Sequence, residues 1–177
     1  KTGSGALALA ALARSAFAAE ERAAVPAPER AIKKGIMWGT VGVKGTMLEM
    51  MKAVKEAGFE GVEMISHMDV EEVLRAQDAT GLAIPSVCGR DHWSKPLSHP
   101  DPKVREEGLE ALKQSLREAK RYGASSVLLV PGVVSKEVAY DDAYKRSQAE
   151  IRKAIPLAEE LGVKIAIENV WNHFLLS

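Results

Sequence analysis

The sequence predicts an α/β chain of strand–helix units: a partial (β/α)8 barrel of about five parallel strands and four helices, preceded by a signal-like leader. Three observations predict it. From Ala31 onward each helical stretch ends at a glycine, Gly58, Gly81, Gly123 or Gly162, and passes within a few residues into an apolar run. Those runs are continuous and rich in Val, Ile and Leu, as in strands covered on both faces, and their alternation with helices calls for a parallel sheet with right-handed crossovers. The third observation is length. A closed eight-fold barrel takes about 250 residues, and this chain has 177. A five-stranded doubly wound sheet would fit that length. However, no helix remains to cover its last strand, and the sequence closes on apolar Phe174-Leu175-Leu176. The expectation is an interrupted barrel, residues 31–177 forming the N-terminal portion of a longer one.

The elements follow in order. Ile32 to Trp38 is the first strand. Thr46 and Glu49 form a capping box before a helix whose Met47, Met50, Met51, Val54 and Ala57 recur at helical spacing. The methionines there are core, not a metal site. Gly58 ends this helix as a left-handed residue would. Phe59 to Ile65 is the second strand. Asp69 and Glu72 cap a helix that runs to Thr80 and stops at Gly81, and Leu82 to Cys88 is the third strand. After a loop from Gly89 to Pro100, Asp101-Pro102 supplies a cap and a first-turn proline. His99 is expected to help start that helix. Its inner stripe is Val104, Gly108, Leu112, Ser115, Ala119 and Tyr122, with the charges between Lys103 and Arg121 as its solvated face. Ser125 to Val130 is the fourth strand. Asp141 or Asp142 starts the last helix, with Tyr144, Ser147, Ile151, Ala154, Ala158 and Leu161 inward. Pro156 predicts a kink or short interruption within it.

Residues 1–30 read differently. An apolar run, Ala6 to Ala13, precedes Ala16-Phe17-Ala18, which fits a small-x-small cleavage site, and Glu20 to Arg30 is a polar, proline-containing linker. That is the layout of an export signal, and the run is too short to span a bilayer. The Lys1 to Gly5 start is similar to the segment after the paired arginines of a twin-arginine signal; a Sec signal is the other form. The expectation is an exported, periplasmic protein, cytoplasmic if this stretch is instead an Ala-rich helix of the mature chain, with no membrane contact once the leader is removed.

Lys and Arg number 24, and so do Asp and Glu, so nothing across the sequence favours nucleic acid or an anionic membrane as partner. The single cysteine, Cys88, excludes an intramolecular disulfide and is expected to pack as a small hydrophobe.

The stretch from Val163 to Asn172 carries the chemistry. Its apolar strand, Val163 to Ile167, delivers the carboxylate of Glu168 at its C-terminal end. Burying a charge there is costly unless it is paired or bound to a metal, and strand C-terminal ends are where parallel α/β folds place their sites.

Four segments then support a family likeness: Gly58-Phe59-Glu60-Gly61-Val62-Glu63; Ser98-His99-Pro100-Asp101-Pro102 with Arg105; Gly123-Ala124 before a strand ending at Pro131-Gly132; and Ile167-Glu168-Asn169-Val170-Trp171-Asn172. Together they resemble the xylose-isomerase-like TIM-barrel superfamily, which holds sugar-phosphate isomerases and epimerases, ketose 3-epimerases and hydroxypyruvate isomerases. The resemblance implies that Glu168 is both a divalent-metal ligand and an acid/base carboxylate. It implies that an Asp, a His and a Glu from later strands complete the metal set, so that this chain alone is inactive. Mn2+, Mg2+ or Co2+ suits such ligands, and Zn2+ is compatible. The implied reaction is proton transfer through an enediolate on a small sugar, sugar phosphate or other hydroxy-carbonyl substrate. No glycine-rich phosphate loop indicates whether the substrate carries phosphate.

Further candidates line the same end of the barrel. Glu63 points into the mouth or is a salt-bridged barrel carboxylate. His67 contacts substrate or is a solvated loop histidine. His92 and Trp93 stack on a sugar or pack on the scaffold, and Trp38 lines the pocket or fills the barrel top. Asn172 stands where some family members carry a sugar-contacting polar group. Two other classes compete with the isomerase: an AP-endonuclease-like phosphodiesterase with a zinc cluster, and a non-catalytic sugar-binding barrel. The few histidines and the neutral charge argue against the phosphodiesterase. An unfinished barrel leaves an open strand edge, so the isolated chain is expected to associate, as a homo-oligomer or an aggregate.

Overall fold

The computed structural model describes residues 31–172, 174 and 175. The leader expected over Lys1 to Arg30 lies outside the described residues. Among them, no helix is long and apolar enough to cross a membrane.

Five strands and four helices alternate along the chain: β1 (Gly35–Met37), α1 (Met47–Glu56), β2 (Gly61–Ile65), α2 (Val70–Thr80), β3 (Ser86–Cys88), α3 (Pro102–Tyr122), β4 (Ser126–Leu129), α4 (Tyr140–Leu161) and β5 (Lys164–Ile167). All neighbouring strands are parallel, in the spatial order β1-β2-β3-β4-β5. That order separates a barrel from a doubly wound sheet. Right-handed crossovers that always step the same way put every helix on one face, whereas a doubly wound sheet reverses direction and covers both. Accordingly α1 packs on α2, α2 on α3 and α3 on α4.

Burial reports the same one-sided covering. Val62 and Met64 of β2, Val87 of β3, and Val127 and Leu129 of β4 are buried against the helices. Their alternates, Glu63, Ile65, Ser86, Cys88, Ser126 and Leu128, are only half-buried and share the other face, which a closed barrel would turn inward. The expectation of strands buried on both faces is corrected here: within this chain only the helix-side face is sealed. The core between sheet and helices is built from Met51, Val54, Val73, Leu112, Leu116 and Ala119 against these strands.

The helix signals act where they stand in the sequence. Thr46 and Glu49 form the reciprocal capping box, Asp69 and Asp101 cap α2 and α3, and Pro102 sits in the first turn. His99 Nδ1 accepts the Asp101 N–H at 3.0 Å, which braces that start. Gly81, Gly123 and Gly162 end their helices at φ 64°, 74° and 66°, which a side chain would strain.

Other expectations are corrected. β1 is only Gly35–Met37, and Trp38 opens a 3-10 turn, Trp38–Thr40. α4 begins at Tyr140 behind Ala139, with no side-chain cap; Asp141 and Asp142 instead lie in its first turn, where the helix dipole favours negative charge. Tyr144 is not inward: it is exposed, stacks on Tyr140 with ring centroids 6.1 Å apart, and both rings meet Phe174. Pro156 does not interrupt α4, which runs continuously through it. The α3 charges are not all solvated, because Glu118 is 2% exposed.

Candidate functional site

Parallel strands bring their C-terminal ends to one rim. On it stand Trp38 after β1, Ser66 and His67 after β2, Gly89 to Trp93 after β3, Val130 to Gly132 after β4, and Glu168 to Asn172 after β5.

Glu168 follows β5 directly. Its backbone N–H donates to the Leu129 carbonyl at 2.9 Å, so it extends the β4–β5 ladder by one rung. Strand alternation therefore puts it on the face of Lys164 and Ala166, the one without helices. Cys88 lies on this face too and is influenced by both lumenal carboxylates. Burial pushes its thiol up from 9.0 to about 11, helped by the charges of Glu63 and then Glu168.

This gives a measurable consequence. The folded thiol ionises later than an unfolded one, so its contribution to stability is complete below pH 9.0 and is lost as pH rises toward about 11. Cys88→Ala is expected to flatten the alkaline limb of the stability profile across that window. Alkylation of native Cys88 at pH 8 is expected to run far below the rate for unfolded chain, read by mass spectrometry.

Glu63 lies within β2, opposite Met37, not at the strand end. Its carboxylate accepts the Ser86 hydroxyl at 2.5 Å. It is thus a lumenal carboxylate bonded to a hydroxyl, below the rim, and among the described residues it makes no salt bridge. Trp38 is half-buried and packs against the core at the end of β1. His92 is half-buried and meets Trp93 edge to face, with ring centroids 5.5 Å apart; its Nδ1 has no partner among the described residues, and burial pushes its pKa down. Trp93 itself is half exposed on the rim.

Asn172 is buried, and its amide is engaged at both ends. Nδ2 donates to the Gly132 carbonyl at 2.6 Å and Oδ1 accepts the Phe174 N–H at 3.2 Å. It ties the loop after β5 to the loop after β4, which gives it a structural role in this chain. His67 stands on the rim with φ 65°, alone among the described non-glycine residues in having a positive value. Ser66, Glu118 and Trp171 were not singled out from sequence. Trp171, three residues after Glu168 in the chain, is 94% exposed. A signal for Glu118 existed, since it falls three residues past Ser115 and four before Tyr122, within the buried stripe of α3.

Among the described residues no three His, Cys, Asp or Glu side chains are grouped to hold a metal ion. Glu168 offers one hard oxygen donor, not a complete site.

The pattern of the xylose isomerase-like TIM barrel matches residues 51–176. The chain belongs to that family. It is 26% identical over 153 residues to the L-ribulose-5-phosphate 3-epimerase of Escherichia coli (strain SMS-3-5), an alignment that covers 79% of this chain and 51% of that protein. The chain therefore spans about half the length of the curated relatives it matches. Among solved structures, the 3-keto-D-glucoside 4-epimerase of E. coli superposes with a TM-score of 0.70 at 20% identity, over 80% of this chain and 57% of that one. A D-psicose 3-epimerase, solved in the presence of D-fructose, superposes at 0.65 with 21% identity, over 81% and 55%. These likenesses establish the fold as the barrel's sequential strand order implies.

Proposed function

We propose that this chain is part of a sugar or sugar-phosphate isomerase or epimerase, in which Glu168 transfers the proton next to the substrate carbonyl. The observation that carries the reading is the position of Glu168: one rung beyond β5, on the helix-free face, in the electrostatic neighbourhood of Cys88 and Glu63. The epimerase names of the family relatives support the same chemistry.

Such a proton is weakly acidic, so the carboxylate must stand beside it and the enediolate must be stabilised as it forms. A divalent cation, when bound, would stabilise that enediolate. Mn2+, Mg2+ or Co2+ suits oxygen and imidazole donors, with Zn2+ compatible. Glu168 would be one ligand. The proposal places the rest, an Asp, a His and a Glu, in sequence beyond Ser177, in keeping with the half-length coverage of the relatives. His67, Trp38, His92 and Trp93 form the rim on the substrate's side, with Trp93 the exposed ring available to stack on a sugar. The proposal keeps residues 1–30 as an export leader, a reading that rests on sequence alone.

The test is a panel of ketoses and ketose phosphates offered to the full-length protein, before and after chelation and after addition of Mn2+. Metal-dependent exchange of the proton beside the carbonyl with solvent deuterium is the expected result. Full-length protein that carries stoichiometric metal and exchanges no such proton would sink the reading.

A further inference from the structure

Two local costs coincide beneath His67. A carboxylate is buried, and a residue with a β-carbon is held in the left-handed region. Glu118 is 2% exposed. Its Oε2 accepts the His67 backbone N–H at 2.7 Å, and its Oε1 accepts the Gln114 amide at 2.9 Å. No ion pair involves it among the described residues. A buried charge and a strained residue persist only where the surroundings over-determine them, and such outliers cluster at functional sites. Here Glu118 reaches from α3 to fix the one strained rim residue.

A second contact fixes the imidazole. Ser66 is fully buried, and its Oγ lies 3.0 Å from the Arg90 N–H and 2.8 Å from His67 Nδ1. A backbone N–H can only donate, so Oγ accepts there. Burial keeps the hydroxyl proton from bulk solvent, and its one remaining partner among the described residues is Nδ1. A buried hydroxyl is not left with its proton unpaired. Nδ1 is therefore the acceptor, and the imidazole carries its proton on Nε2, which makes no hydrogen bond among the described residues. Asp91, the acidic neighbour on the β3–α3 loop, is taken by the Arg90 guanidinium at 2.8 Å.

We propose that Ser66 and Glu118 are positioning residues that hold His67 as an Nε2–H donor for a substrate oxygen at the barrel mouth. The substrate part rests on the sugar-converting reading above; the positioning part does not. It is tested on the chain with 15N-labelled histidine. Long-range nitrogen–proton spectra are expected to show the Nε2–H form at His67, and Ser66→Ala is expected to mix the tautomers. Glu118→Ala is expected to raise hydrogen exchange at the His67 amide by about tenfold, the loss of one charge-assisted bond. Should Glu118→Ala fail to fold, Glu118→Gln serves: its amide oxygen keeps an acceptor for His67, so exchange should stay closer to the parent value. In the full-length enzyme Glu118→Ala should raise KM with a smaller effect on kcat, and Glu118→Gln should restore most of it. An Nδ1–H tautomer, unchanged His67 exchange, or an unchanged KM in an active enzyme overturns this inference alone. Absence of any sugar turnover, with the tautomer as expected, counts instead against the proposed activity.

Discussion

Glu168→Gln in the full-length protein is expected to lower sugar-epimerising turnover by about a thousandfold, the scale of a lost acid/base group. The amide keeps the size and loses the proton-transfer function and the anionic donor. Bound divalent metal, measured by elemental analysis, should fall with activity. Stability should not, because the Glu168 side chain makes no hydrogen bond or ion pair among the described residues: the bond that seats this residue is from its backbone N–H to Leu129. A thermal melt within a degree or so of the parent would show that the loss is chemical. Retention of both turnover and metal would remove Glu168 from the mechanism.

Gly108→Ala is expected to destabilise the chain by about 2 kcal/mol, even after the gain of about 1 kcal/mol that helix propensity alone would give. Gly108 lies inside α3, where glycine is usually a weakness. A β-carbon there would stand 2.3 Å from the Lys95 carbonyl oxygen and 3.2 Å from Leu97 Cδ2. The first contact is with backbone, so no rotamer change relieves it. Either α3 or the Lys95–Leu97 segment must move, and that segment belongs to the loop that carries His92 and Trp93. The urea midpoint should fall. Enzyme activity, where measured, should fall with it, because the rim shifts. A rise in the midpoint would mean that propensity outweighs the contact.

Much of the fold was legible because it is written in short-range chemistry. The Thr46–Glu49 box, the Asp69 and Asp101 caps and the glycine stops close hydrogen bonds within a few residues, so their partners are readable side by side. The parallel direction of the strands followed from the alternation of strands and helices, whereas their sequential order rested on length and on the lack of a helix to cover the last strand. The failures share a cause. Glu118 looked like part of a solvated face because its partner, the His67 N–H, is 51 residues away. The structural tie of Asn172 was not legible because its partner, the Gly132 carbonyl, is 40 residues away. Tyr144 was placed inward by period, yet it stays exposed and meets Phe174 beside α4.

By itself the sequence determined the strand–helix rhythm, the element ends and the carboxylate that closes β5, since each depends on local backbone chemistry and a fixed chirality. The tertiary structure alone decided which face is sealed and which carboxylates are buried. It also decided that His67 is held from below by a residue of another helix. Those depend on which distant groups meet, and a hydrogen bond between residues far apart in the chain leaves no pattern in the stretch around either one.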